Sequence, residues 1–175
     1  MSEVEEYLAG ELTRLAHAGA DFAALAANTP HIVFGALRAR SSVPLISIVE
    51  VTREAAAARG LKRVGLFGTR FTMQADFYPE AFEGAGITVV PPDPEAQVYI
   101  HDKYMSELVN GIFSPETRDG LLAIVERMKA RDGIEGLILG GTELPLILRA
   151  DEYAGVQFLD TTKLHAEAIV SRLLS

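Results

Sequence analysis

The sequence predicts an α/β protein with two pseudo-symmetric lobes, each a parallel sheet flanked by helices. Three observations carry that expectation. Short apolar runs of strand character alternate with helical patterns of ten or more residues, the pattern of a parallel sheet covered on both faces. Several of those runs stop at small or hydroxyl-bearing residues and turn directly into a helix start. Two such corners rhyme: Leu25-Ala26-Ala27-Asn28-Thr29-Pro30-His31-Ile32-Val33 and Leu139-Gly140-Gly141-Thr142-Glu143-Leu144-Pro145-Leu146-Ile147.

Taken in order, Ser2 followed three residues later by Glu5 reads as a capping box, and Val4, Leu8, Leu12 and Leu15 form an apolar stripe at helical spacing. That helix ends near Gly19. Residues 21–26 read as a short buried strand, residues 30–40 as a helix opened by Pro30, and residues 44–48 as a strand. An Ala-rich helix continues to about Arg59, with Gly60 as its stop. The strand at 63–67 runs into Gly68-Thr69-Arg70-Phe71-Thr72-Met73, a third corner, and a helix follows to about Glu83, ended by Gly84 and Gly86. Residues 87–90 form a strand, and Pro91-Pro92-Asp93-Pro94 a rigid turn. Residues 97–109 read as helix. Ser114 before Pro115 caps another helix reaching about Arg131. Strands at 136–139 and 156–159 complete the sheet, and Asp160-Thr161-Thr162 caps the C-terminal helix.

Composition narrows the partners. A net charge of −8 with no Lys/Arg cluster disfavours nucleic acid and anionic membrane surfaces and points to a small ligand. No apolar run approaches the roughly 20 residues needed to span a bilayer. The N-terminus, Met1-Ser2-Glu3-Val4-Glu5-Glu6, is acidic where a signal peptide is basic, so a cytoplasmic location is expected. The chain has no cysteine, which excludes disulfides, thiolate metal sites and thiol nucleophiles. No His and carboxylate residues show metal-ligand spacing, and no metal is expected.

In a parallel sheet, ligands collect beyond the carboxyl ends of the strands, where all three corners fall. Free amides, small side chains and hydroxyls there suit a carboxylate. Asn28, Thr29, Thr69, Thr72 and Thr142 are therefore candidate carboxylate donors, with helix capping as their alternative role. Glu143 reads either as a general acid/base or as a first-turn residue favoured by the helix dipole. His31 reads either as a proton carrier near neutral pH or as a histidine bonded to nearby backbone. Arg70 could fork onto a carboxylate or stay solvated. His17, His101 and His165 read as surface or packing residues.

Asn28-Thr29-Pro30-His31, the Gly68–Met73 corner with Tyr78, and Leu139-Gly140-Gly141-Thr142-Glu143-Leu144-Pro145 with Asp160-Thr161-Thr162 resemble the aspartate/glutamate racemase family in order and spacing. The resemblance implies a cofactor-independent enzyme, commonly a homodimer, with its site between two lobes. Here these would be residues 1–60 plus 160–175, and residues 61–159. It implies PLP-independent, isomerase-type chemistry at the α-carbon of a small carboxylate substrate such as an amino acid. Removing that proton needs preorganised donors for the developing charge, and racemisation needs proton-handling groups on both faces. In the family these are commonly two thiols, whose positions correspond to Ala27 and Gly141, neither of which can move a proton. Glu143, with His31, is the candidate replacement, and Asn28, Thr29, Thr69, Arg70, Thr72 and Thr142 the candidate binding set. Family members also open with a strand and a glycine loop, whereas this chain opens with a helix. The first lobe is accordingly expected to lack a strand-helix-strand unit of roughly thirty residues and to leave sheet edge and apolar surface open. One-base decarboxylation or elimination, and non-catalytic dicarboxylate binding, are the alternative functions.

Overall fold

Two sheets organise the chain in the computed structural model, which describes residues 3–175; Ser2 of the expected capping box lies outside them. The larger sheet has the order β4-β3-β5-β7-β6. Its middle strands, β3 (Arg63–Gly68) and β5 (Gly136–Gly140), are buried along almost their whole length, which is why they read as continuous apolar runs. β3, β4 (Thr88–Val90), β5 and β7 (Val156–Asp160) are parallel. β6 (Glu152–Tyr153) is an antiparallel edge strand absent from the sequence expectation. It folds back through Ala154 (φ 50°) and Gly155 (φ 71°), the two positive φ values that a tight hairpin turn demands.

The smaller sheet pairs β1 (Ala23–Ala24) with β2 (Leu45–Ile46) in parallel. Both strands are shorter than the expected 21–26 and 44–48. α1 (Glu3–His17) packs nearby on α2 (Phe34–Arg40), and Tyr7 and Leu15 of α1 remain exposed. The first corner is a 3₁₀ turn, Thr29–Val33, that passes directly into α2.

Helices cover both faces of the five-stranded sheet. On one face α3 (Ile48–Ala58) and α5 (Phe77–Glu83) bury Ile48, Val49, Ala56, Tyr78 and Phe82 against Val64, Leu66 and Ile138. On the other, α6 (Pro94–Ser106) and α7 (Pro115–Asp132) bury Ile100, Leu121, Val125 and Met128 against Phe67, Leu137 and Leu139. Ser47, Asp93 and Ser114 cap α3, α6 and α7 by accepting the amide three residues on. The C-terminal helix α9 (Thr161–Leu173), capped by Asp160, lies along α3 and touches β2 as well as β5 and β7, joining the two sheets.

The helix expected from Thr69 to Glu83 is broken into α4 (Arg70–Gln74) and α5 at an extended Ala75. Pro79 explains the break: in a continuous helix its ring would strike the carbonyl of Ala75, four residues back. As the third residue of a new helix, it has no amide to miss. The helix expected at 97–109 begins three residues earlier, because Asp93 and Pro94 form its cap and first position, and it ends at Ser106.

Candidate active site

β3 and β5 end side by side, with Gly68 opposite Gly140. A Cβ on Gly68 would lie 2.9 Å from the Gly140 carbonyl oxygen, and one on Gly140 would lie 2.8 Å from that of Phe67. Glycine is required at both places, and the strand ends form a bare floor under Thr72, whose methyl group sits against them. Thr69 caps α4 by accepting the Thr72 amide.

Above this floor three hydroxyls meet. Thr29 Oγ1, from the first corner, lies 3.2 Å from Thr69 Oγ1 and 3.0 Å from Thr72 Oγ1, which are themselves 3.2 Å apart. Thr72 is fully buried. The three hydroxyls form one cluster, and those of Thr29 and Thr69, which are partly exposed, can turn outward toward an oxyanion. The amides the sequence reading offered there are partly engaged: Arg70 N–H donates to His101 Nδ1 at 3.2 Å, and Leu144 N–H to Gly141 O. α4 and α8 (Leu144–Ile147) are single turns, so the hydroxyls rather than a helix dipole are the main donors. Arg70, next to Thr69 in sequence, is exposed and forms no ion pair among the described residues.

The second corner carries a compact acid cluster. Glu143 Oε2 accepts from Tyr104 Oη and, at 2.8 Å, from Thr142 Oγ1. Tyr104 comes from α6, one turn beyond His101, so this helix runs from the third corner to the second. Burial, and then the Glu143 carboxylate, push the Tyr104 phenol well above its usual range; it stays protonated and donates.

Two expected site residues are placed elsewhere. Asn28 is 4% exposed; its Oδ1 accepts from Tyr78 Oη at 2.6 Å and its Nδ2 donates to Thr161 Oγ1 at 3.1 Å, while that hydroxyl donates to Leu139 O at 2.8 Å. Asn28 thereby fastens the first corner to β5 and α5. His31 takes the backbone-bonded role: neutral Nδ1–H donates to Ala27 O at 2.8 Å, and the ring stacks on Phe34. Burial pulls its pKa from 6.5 to about 4, and Nε2 has no partner among the described residues. The ring lines a groove with Arg38, Glu50 and Phe77, not the threonine cluster. The structure therefore brings together Thr29, Thr69 and Thr72, and separately Thr142 and Glu143, but does not join His31 to Glu143.

Sequence reasoning missed Tyr104 and the role of His101. Their spacing of three placed both on one helix face, the one available signal. Among the described residues no three His, Asp or Glu side chains stand close enough to hold a metal ion, and no helix is long and apolar enough to cross a membrane.

The fold and corners define an α/β protein with hydroxyl and carboxylate groups gathered at the carboxyl ends of neighbouring strands. Residues 2–169 match the model of the Asp/Glu/hydantoin racemase family, and the chain belongs to that family. An aspartate racemase homologue from Pyrococcus horikoshii superposes with a TM-score of 0.86 at 33% identity, over 98% of this chain and 74% of that one. A Yersinia pestis protein assigned as an Asp/Glu racemase gives 0.89 at 32%, with the same coverage. The glutamate racemase of Thermus thermophilus is 30% identical over 142 residues, 75% of this chain and 47% of that enzyme, so the match spans about half of the enzyme's length.

Proposed function

We propose that the protein carries out PLP-independent, isomerase-type proton transfer at the carbon next to the carboxylate of a small acid, with an amino acid as the substrate class. The observation that carries this reading is the meeting of Thr29 with Thr69 and Thr72 from a separate corner at 3.0–3.2 Å. Such a cluster suits a carboxylate whose charge grows as the neighbouring proton leaves. Arg70, next in sequence to Thr69 and exposed, is the candidate cation for the carboxylate, and Glu143 is the base. Names of family relatives support an acidic amino acid. The test is incubation in deuterium oxide with L-aspartate and L-glutamate, followed by proton NMR; loss of the α-proton signal is expected, and no exchange above background with these or other amino acids sinks the reading.

One observation favours a second reading, one-base decarboxylation or elimination. The first corner offers Ala27 and a His31 bound to Ala27 O, so proton-handling groups stand on one side only. Carbon dioxide released from malonate-like acids, without α-exchange of amino acids, would select it.

A further inference from the structure

Gly141 and Tyr104 occupy one another's space. A Cβ built on Gly141 would lie 2.6 Å from both Cε2 and Oη of Tyr104 and 2.9 Å from Cζ. Any side chain at 141 therefore requires the ring to shift. The ring is 6% exposed and its hydroxyl is tied to Glu143, so it is packed and anchored. The volume expected of residue 141 is supplied instead from α6.

The hydrogen bonds show what the substitute does. Tyr104 Oη and Thr142 Oγ1 both donate to the same oxygen of Glu143, Oε2. Oε1 accepts no hydrogen bond among the described residues. Two donors on one oxygen fix the carboxylate plane and leave the other oxygen's lone pairs available. Resting on the proton-transfer reading above, we infer that Tyr104 is a positioning residue that fills the space over Gly141 and, with Thr142, pins Glu143 Oε2 so that Oε1 receives the substrate proton. The proton leaves the α-carbon, its bonding pair stays on the substrate as an enolate held by the hydroxyl cluster, and Glu143 becomes a neutral acid that returns the proton. The phenol keeps its own proton throughout, in keeping with its upward-shifted titration.

Three measurements on the full chain test this. With ¹³Cζ-labelled tyrosine, Glu143→Gln is expected to move the Tyr104 signal, assigned by Tyr104→Phe, and leave the other four of the five tyrosines in place. Gly141→Ala is expected to lower Tm in the natural background and to add no loss in a Tyr104→Ala background. In the deuterium-exchange assay with aspartate and glutamate, Tyr104→Phe is expected to lower kcat about tenfold with KM within about twofold, the loss of one hydrogen bond to a charged group. A Tyr104→Phe enzyme with unchanged kcat, or with a raised KM alone, overturns the positioning role while leaving the reaction intact. No exchange in the natural protein overturns the reaction and the catalytic half of this inference with it. A silent tyrosine signal or additive Tm losses overturn the placement of the ring whatever the activity.

Discussion

The two rhyming corners share a spelling and differ in what their polar groups are doing. At the first, Asn28 has both ends of its amide bonded within the protein and His31 is buried, neutral and tied to Ala27 O. Only Thr29 reaches into the hydroxyl cluster. At the second, Thr142 is exposed, Glu143 is half-buried with one oxygen unpaired among the described residues, and Tyr104 supports it from a neighbouring helix. The first corner holds its place and presents one hydroxyl; the second presents a carboxylate held by two donors. Similar local sequence does not impose similar roles, because the partners that satisfy each side chain come from elements far along the chain.

The sharpest way to break this contrast is Glu143→Gln, which on the proposed chemistry lowers kcat for α-deuterium exchange about a thousandfold, the range for a general base. A variant that keeps its rate would move the chemistry away from the second corner. Next is the stability contribution of His31. Its folded pKa lies below the unfolded value, so from pH 6.5 down to about 4 the unfolded chain binds a proton that the folded chain refuses. Stability is full above pH 6.5 and falls by about 3 kcal/mol as the pH approaches 4, since each pK unit is worth about 1.4 kcal/mol. Burial also lowers the pKa of His165, which adds to the same slope. Urea unfolding over that pH range should show a flatter profile for His31→Gln; an unchanged slope would remove His31 from its locked state.

Thr72→Val keeps the shape of a fully buried residue and deletes one hydroxyl of the cluster. It is expected to lower kcat about a hundredfold, as for loss of one oxyanion donor. An effect confined to Tm would make the cluster structural. The smallest expected effect is at Asn28→Ala, which leaves the Tyr78 hydroxyl and Thr161 short of partners and costs about 2 kcal/mol of stability by denaturant titration. If exchange activity fell far more than stability, Asn28 would belong with the substrate after all.

Much of the architecture was legible because it rests on local rules. The runs at Val64–Phe67 and Leu137–Leu139 are apolar because both faces are covered, and Ser114 and Asp160 are caps that act over three residues, whereas the caps at Ser47 and Asp93 read in the sequence as strand and turn. The β6 hairpin was not legible: its turn uses Ala154 at positive φ, which no propensity favours. The break at Ala75 was missed, although Pro79 carried the reason. At the site, the threonines could be singled out from their corners, but which of them meet depends on how the two sheets are set by α9. Beyond its spacing from His101, Tyr104 carried no signal, because its significance is the absence of a Cβ thirty-seven residues away.

The bonded relay from Tyr78 through Asn28 and Thr161 to the Leu139 carbonyl has a dynamic consequence. Pulling the first corner away from α5 and α9 would break two buried links at once, Asn28 to Tyr78 and Asn28 to Thr161, a rare event on the microsecond-to-millisecond scale of hinge motions. Reorienting the half-exposed Thr29 and Thr69 hydroxyls needs only side-chain rotation, on picoseconds to nanoseconds. A small acid would thus enter by displacing neighbouring rotors while the backbone frame stays shut, and relaxation-dispersion NMR on Asn28 should remain flat as ligand is added.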